Sequence, residues 1–204
     1  MTSRNEQKEQ THHEILQSAA RLLRDQGIAG ASVADVMRGA GLTVGGFYAH
    51  FESKDALIDE TLRQTGAALR ETLFARLDKK PPEARAEIVL KRYLSAAHRD
   101  QEDDGCLLPA LTGEVGSTAR EHAAVLGEQI EALVEGLAEH LSLKGRDNRR
   151  QLSLGLCALM VGGLSLSRAL AGTTLSDDML KACRALGIDA VQAAADKKTR
   201  KKKV

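Results

Sequence analysis

The chain has 204 residues, 43% hydrophobic and 28% charged, which is enough apolar material for one large domain or a small one joined to a larger one. Aromatics are 2% and Trp is absent, so the apolar material is mostly Ala and Leu, which disfavours sheet and argues against an aromatic cage for a cationic ligand. The net charge of +1 conceals a basic tail, 196–204, with six of the 29 Lys/Arg residues and one of the 28 acids; the rest of the chain is net acidic, and the tail is expected to be solvated and disordered.

An amphipathic helix is expected over 11–26, with Ile15, Leu16, Ala19, Leu22 and Leu23 inward, Thr11 as N-cap, Glu14 at capping-box spacing and Gly27 as terminator. Ser32 and Asp35 open a short second helix whose inward face is Val33, Val36, Met37 and Ala40, and Gly41 breaks it. Thr43 caps a third helix to about Phe51, and Ser53 caps a fourth over 54–79. Pro81 and Pro82 open another to about Arg99, 101–105 is a loop, and a short helix is expected over 107–114. Helices over 117–143, 148–171 and 176–195 complete the chain, with a turn at Lys144, Gly145 and Arg146. Period-two alternation is absent, so the fold class is all-α with about nine helices. The uncharged segment 151–167 is diluted by Gln151, Ser153, Gly155 and Gly162, and is expected to be a core or interface helix rather than a membrane span.

Residues 41–57 combine two features that a plain helix would avoid. Gly45 and Gly46 weaken a helix by about 1 kcal/mol each, and beside them FYAHF holds three of the five aromatics. A helix, a glycine break and a second short helix are the layout of a helix-turn-helix, whose second helix enters the DNA major groove. Gly45 and Gly46 then remove bulk where backbone approaches DNA. Phe47 and Phe51, four apart, anchor the inward face, and Tyr48 and His50 point outward.

This stretch resembles the TetR family of transcriptional regulators. The resemblance rests on Ile15-Leu16 with Ala19-Ala20, Gly27, Ser32-Val33, Ala40-Gly41-Leu42, Gly45, Phe47-Tyr48, His50-Phe51 and Ser53-Lys54-Asp55-Ala56-Leu57, about a quarter of the chain. It implies a three-helix DNA-binding domain (1–55), an effector-binding and dimerisation domain (56–195) and a homodimer bound to a palindromic operator, released by a small molecule. By motif position Ser32, Thr43, Val44, Gly45, Gly46, Tyr48, His50 and Lys54 are the DNA-binding candidates. Two positions depart from the family pattern: Val44 and His12 stand where Lys or Arg is common. With six basic and seven acidic residues before position 56, modest non-specific affinity is expected, and Val44 is suited to a thymine methyl.

The effector pocket is expected among Tyr93, His98, Cys106, Leu111, His122, Leu126, Met160 and Leu164. The dimer interface is expected along Leu152, Leu156, Leu159, Gly163, Leu166, Leu170, Met179, Cys183 and Leu186, doubled into a four-helix bundle. Cys106, Cys157 and Cys183 form no CxxC pair and the N-terminus is polar, without the apolar run of a secretory leader, so a cytoplasmic protein without disulfides is expected. His12 and His13 are adjacent and diverge on a helix, the other histidines show no ligand spacing, and no nucleophile–base pair is present. No metal, cofactor, membrane or enzymatic activity is therefore expected. Two further readings stand open: a redox- or electrophile-sensing repressor acting through Cys106 at a helix start, and an effector-binding helical dimer acting as an activator.

Overall fold

The computed structural model describes residues 3–101 and 105–200, and among these every regular element is helical. The helices are α1 (Arg4–Gly30), α2 (Val33–Gly39), α3 (Lys54–Phe74), α4 (Pro82–Tyr93), α5 (Ala96–Arg99), α6 (Leu108–Ser117), α7 (Ala123–His140), α8 (Arg146–Ala169) and α9 (Thr174–Arg200), with 3-10 helices at Val44–Ala49, Leu77–Lys79 and Arg120–His122. They form two compact units, Met1–Ala68 with Glu102–Gln129 and Leu69–Gln101 with Ile130–Val204. The first unit thus holds the three-helix segment expected over 1–55 and also α6, which returns to pack on α1.

In the first unit α1 begins at Arg4, a full two turns before the expected start. Ser3 is the N-cap: its Oγ accepts the Glu6 N–H, and the Glu6 carboxylate accepts the Ser3 N–H in return. Residues 4–11 carry no apolar stripe, so periodicity could not reveal this extension, and Thr11 lies inside the helix rather than at its cap. Gly27 takes φ +70°, ψ −174°, which ends regular α-helix where the sequence placed the terminator. Ser32 caps α2 by accepting the Asp35 N–H, and Ser18 Oγ donates to the Val36 carbonyl at 2.8 Å, fastening α2 to α1. Ile15, Leu16, Ala19, Val36, Met37, Phe47, Phe51 and Leu57 close the core.

In the second unit α8 packs on α9, with α4 against α9. Ser176 Oγ donates to the Ser167 carbonyl at 2.6 Å within this contact. By length and composition α8 is apolar enough to cross a membrane, but its buried residues, from Ser153 through Leu156, Met160 and Leu164 to Ser167, fall on one face turned to its own core.

Three long helices expected from the sequence are interrupted. The helix expected over 54–79 stops at Phe74, and Arg76 adopts a left-handed φ of +57°. The Arg92 guanidinium donates to the carbonyls of Thr72, Leu73 and Ala75, satisfying the helix end from α4. The helix from Pro82 ends at Tyr93, and Ser95 caps a new start by accepting the His98 N–H. The helix expected over 117–143 is broken at Ala119, with φ −128°, ψ 47°, before the 3-10 turn at Arg120–His122. α9 runs to Arg200, so the backbone of the basic tail is helical through that residue; its last residues, 201–204, lie outside the described residues, as does most of the acidic loop expected over 101–105.

Candidate nucleic-acid interface

The segment after Leu42 is a 3-10 helix, Val44–Ala49, not the α-helix expected from Thr43 to Phe51. Two adjacent glycines weaken α-helix here, and the segment is tied off at both ends by i+3 bonds: Gly46 N–H to Thr43 O and His50 N–H to Phe47 O. Gly41, at φ +71°, makes the preceding turn, with the Leu42 N–H bonded to the Met37 carbonyl at 2.8 Å.

Phe47 and Phe51 are buried, their ring centroids 5.7 Å apart. Outward from them lie Val44, 49% exposed, and Tyr48, 77% exposed, whose ring meets Phe47 edge-on at 5.3 Å. Thr43 is exposed and its hydroxyl makes no cap bond, so it is available to another partner. A Cβ added at Gly45 would meet nothing within 4 Å; one at Gly46 would face inward, 3.7 Å from Met37 Cε. Only the first glycine therefore thins the outer surface.

Ser32 is exposed, but its hydroxyl is 2.5 Å from Asp35 Oδ2. That hydrogen bond holds the Asp35 carboxyl below the usual carboxylate range, and Arg38, 2.8 Å from Asp35 Oδ1, adds to the effect. The one basic side chain of α2 is thus paired to an acid, though it remains largely exposed.

Two DNA-binding candidates, one of them expected to point outward, are held back by the fold. His50 is half-buried at the end of the 3-10 helix, 5.7 Å from the His12 ring, and burial pushes its pKa down, with His12 and Lys8 adding to the shift. Lys54 is half-buried, and its Nζ donates to the Ile28 carbonyl at 2.7 Å, tying the start of α3 to the end of α1. Neither restraint was legible in the sequence, because each joins residues distant along the chain. His12 likewise is not a surface residue at a helix start. It is half-buried inside α1, stacked on Phe51 at 4.5 Å, with Nε2 2.6 Å from Glu60 Oε1.

Sequence reasoning also missed Glu114. Its carboxylate accepts the N–H groups of Ile28 and Ala29 at 3.0 and 3.1 Å, just past Gly27. Ile28 is held from both sides: Glu114 of α6 takes its N–H and Lys54 of α3 bonds its carbonyl. Arg24 adds a bond to the Gly105 carbonyl at 3.2 Å.

Of the expected effector-pocket residues, Cys106, Leu111, His122 and Leu126 are buried in the first unit and Tyr93, His98, Met160 and Leu164 in the second. None of the three cysteines is in a disulfide, and Cys106 is 3% exposed, two residues before α6. Of the expected interface residues, Leu156 and Gly163 are buried in the chain's own core: a Cβ at Gly163 would lie 3.1 Å from Cys183 Cβ and 3.2 Å from Leu94 Cδ2. Leu166 and Leu186 are exposed, and Leu152, Leu159, Leu170, Met179 and Cys183 are half-buried. Leu175, also expected on the partner surface, is exposed, as is Leu154, which was not.

Residues 15–61 match the family model for bacterial regulatory proteins, tetR family. The HTH-type transcriptional repressor KstR2 of Mycobacterium tuberculosis is 38% identical over 63 residues, 31% of this chain and 30% of that protein. The HTH-type transcriptional repressor DhaR of Mycobacterium sp. strain GP1 is 28% identical over 96 residues, 46% of each chain. The matched region thus spans less than half the length of either relative. Among solved structures, a TetR-family regulator from Cytophaga hutchinsonii is similar over 95% of this chain and 98% of its own, at a TM-score of 0.73 and 20% identity. The reduced form of E. coli NemR is similar over 85% and 95%, at a TM-score of 0.71 and 19% identity. These last two establish a shared fold. The segment that carries the turn and its exposed 3-10 helix is thus the part of this chain that matches the TetR family of bacterial regulatory proteins.

Proposed function

We propose that the chain is a cytoplasmic, homodimeric transcriptional repressor that grips a palindromic operator through its 3-10 segment and is released by a small-molecule effector. The observation that carries this reading is the two-sided construction of Val44–Ala49: Phe47 is sealed in the core while Val44, Gly45 and Tyr48 face solvent. Val44 supplies an apolar contact suited to a thymine methyl, and Tyr48 and Thr43 supply hydroxyls for phosphates, with Ser32 joining them once its hydroxyl turns from Asp35. His50 and Lys54 act from behind this surface, Lys54 through its charge and its hold on Ile28. The repressor sense follows KstR2 and DhaR, both HTH-type transcriptional repressors.

Dimerisation is assigned to the outer faces of α8 and α9. Leu154, Leu166, Leu175 and Leu186 are exposed there, and a Cβ at Gly155 or Gly162 would meet nothing within 4 Å. Two mid-helix glycines facing open space cost helix stability and are explained by a second helix approaching closely. The effector reading rests, in the first unit, on the buried pocket candidates Cys106, Leu111, His122 and Leu126. Its signal reaches the DNA-binding helices through α6: displacing Glu114 releases the Ile28 N–H and loosens the end of α1. The electrophile-sensing reading is carried less far, because Cys106 is buried.

The test is selection of bound fragments from random duplex DNA, followed by gel-shift measurements on Gly45→Glu. A Cβ there meets nothing within 4 Å and the added carboxylate would repel phosphates, so the variant should fold and dimerise normally yet lose binding. Unchanged operator affinity in that variant rules out this surface as the reading head.

A further inference from the structure

His122 is 1% exposed, in the 3-10 turn before α7. Its Nδ1 lies 2.7 Å from Asp59 Oδ1 on α3. A carboxylate only accepts, so Nδ1 carries a proton, and in the neutral tautomer this leaves Nε2 as the nitrogen that offers a lone pair to a metal. That nitrogen has no hydrogen-bond partner among the described residues, a costly state for a buried polar atom. It points toward Asp55, whose Oδ1 is 3.8 Å away and which lies one turn before Asp59 on the same face of α3. Glu121, the neighbour of His122, brings a second exposed carboxylate. One ligand atom from each of Asp55, Glu121 and His122 lies within 4.8 Å of the other two.

We propose that Asp55, Glu121 and His122 form a binding site for one divalent transition-metal cation of the Zn²⁺ type, with Asp59 as the residue that orients the imidazole. A carboxylate on the far nitrogen of a histidine is the arrangement that fixes tautomer and ring direction in metal sites. One imidazole and two carboxylates favour Zn²⁺ over Mg²⁺ and Ca²⁺, which take oxygen ligands, and the absence of thiolate disfavours Cu⁺. Zn²⁺ bonded at about 2.0–2.2 Å sets tetrahedral ligand atoms about 3.4 Å apart. The 3.8 Å separation between Nε2 and Asp55 therefore needs only a small adjustment, which the Asp55 side chain, 67% exposed, can make by rotation. The same exposure opens a path from solvent, and water completes the coordination. The site stands apart from the DNA-binding reading and does not depend on it.

The test is isothermal titration of Zn²⁺ into the untagged, chelator-treated full chain. Wild type should bind one ion per chain saturably, with millimolar Mg²⁺ unable to compete. The double variant Asp55→Asn/Glu121→Gln changes two exposed side chains, keeps the fold by circular dichroism, and should lose affinity about 100-fold or more; Asp59→Asn should lose about 10-fold. His122→Gln should abolish binding, and if that buried substitution prevents folding the double variant decides alone. The proposal is overturned if wild type binds no ion saturably. It is overturned equally if the double variant keeps wild-type affinity, which would place the ion elsewhere, as in the cleft that holds His12, His13 and Glu60.

Discussion

Two helical segments of this chain carry glycines at positions where alanine would serve helix stability better, and they use them oppositely. In Val44–Ala49, Gly45 opens outward and the bulk beside it, Phe47, is buried. In α8, Gly163 lies inward, where the chain's own Leu94 and Cys183 press against it, while Gly155 and Gly162 open outward. The first segment is a thin surface held by aromatics from behind; the second is one helix with an internal contact on one face and open space on the other. A glycine therefore says that something approaches closely, and only the neighbouring side chains say from which side.

Each half of the comparison can be broken by paired substitutions. Phe47→Ala should cost about 3–5 kcal/mol of stability, because a fully buried ring is replaced by a cavity. Tyr48→Ala, next to it and exposed, should change stability by no more than about 0.5 kcal/mol while lowering operator affinity about tenfold, the value of one lost phosphate hydrogen bond. Denaturant melts and gel shifts read the two effects separately. A stability loss from Tyr48→Ala comparable to that from Phe47→Ala would mean the segment has no free outer face.

In α8 the effects are smaller. Gly163→Val should destabilise the chain by about 1–3 kcal/mol through overpacking against Leu94 and Cys183. Gly162→Leu should spare the core, since that position opens to space, yet shift the monomer–dimer equilibrium towards monomer. Light scattering over a dilution series measures this. Dimers equally tight in both variants would remove α8 from the interface.

These outcomes bear on what the sequence could disclose. The core of the first unit was legible because its signals are short-range: Ser32 and Asp35, Gly41, and Phe47 with Phe51 all act within a turn or two of each other. The start of α1 at Ser3 escaped because its first turns have no buried face. The ends of α3 and α4 escaped because the groups that stop them, Arg92 reaching back to Leu73 and Arg184 bonded to the Leu94 carbonyl, come from other helices. In α8, the apolar stripe runs beyond the buried face, and periodicity could not separate Leu156, which is core, from Leu166, which is exposed. The pairing of His122 with Asp59 spans 63 residues, so no spacing motif could have announced it.

The least forceful expectation concerns pH, and it sets the second unit apart from the first. His98 is 7% exposed, its Nδ1 bonded to the Tyr93 carbonyl at 2.8 Å. Burial pushes its pKa below the ordinary 6.5, and Arg168 pushes the same way; the Tyr93 bond opposes them without prevailing. The folded chain therefore resists a proton that the unfolded chain accepts. Stability from this group is fully present above pH 6.5 and is lost as pH falls from there through the depressed folded value, with a slope of up to about 1.4 kcal/mol per pH unit. His50 in the first unit and His140 in the second are shifted the same way by burial, but each is more open to water and should contribute less. Denaturant midpoints measured from pH 7.5 down to pH 5 should fall for wild type and fall less steeply for His98→Gln. Matching slopes would show that His98 takes up its proton without strain on the fold, and that the acid sensitivity of the chain lies elsewhere.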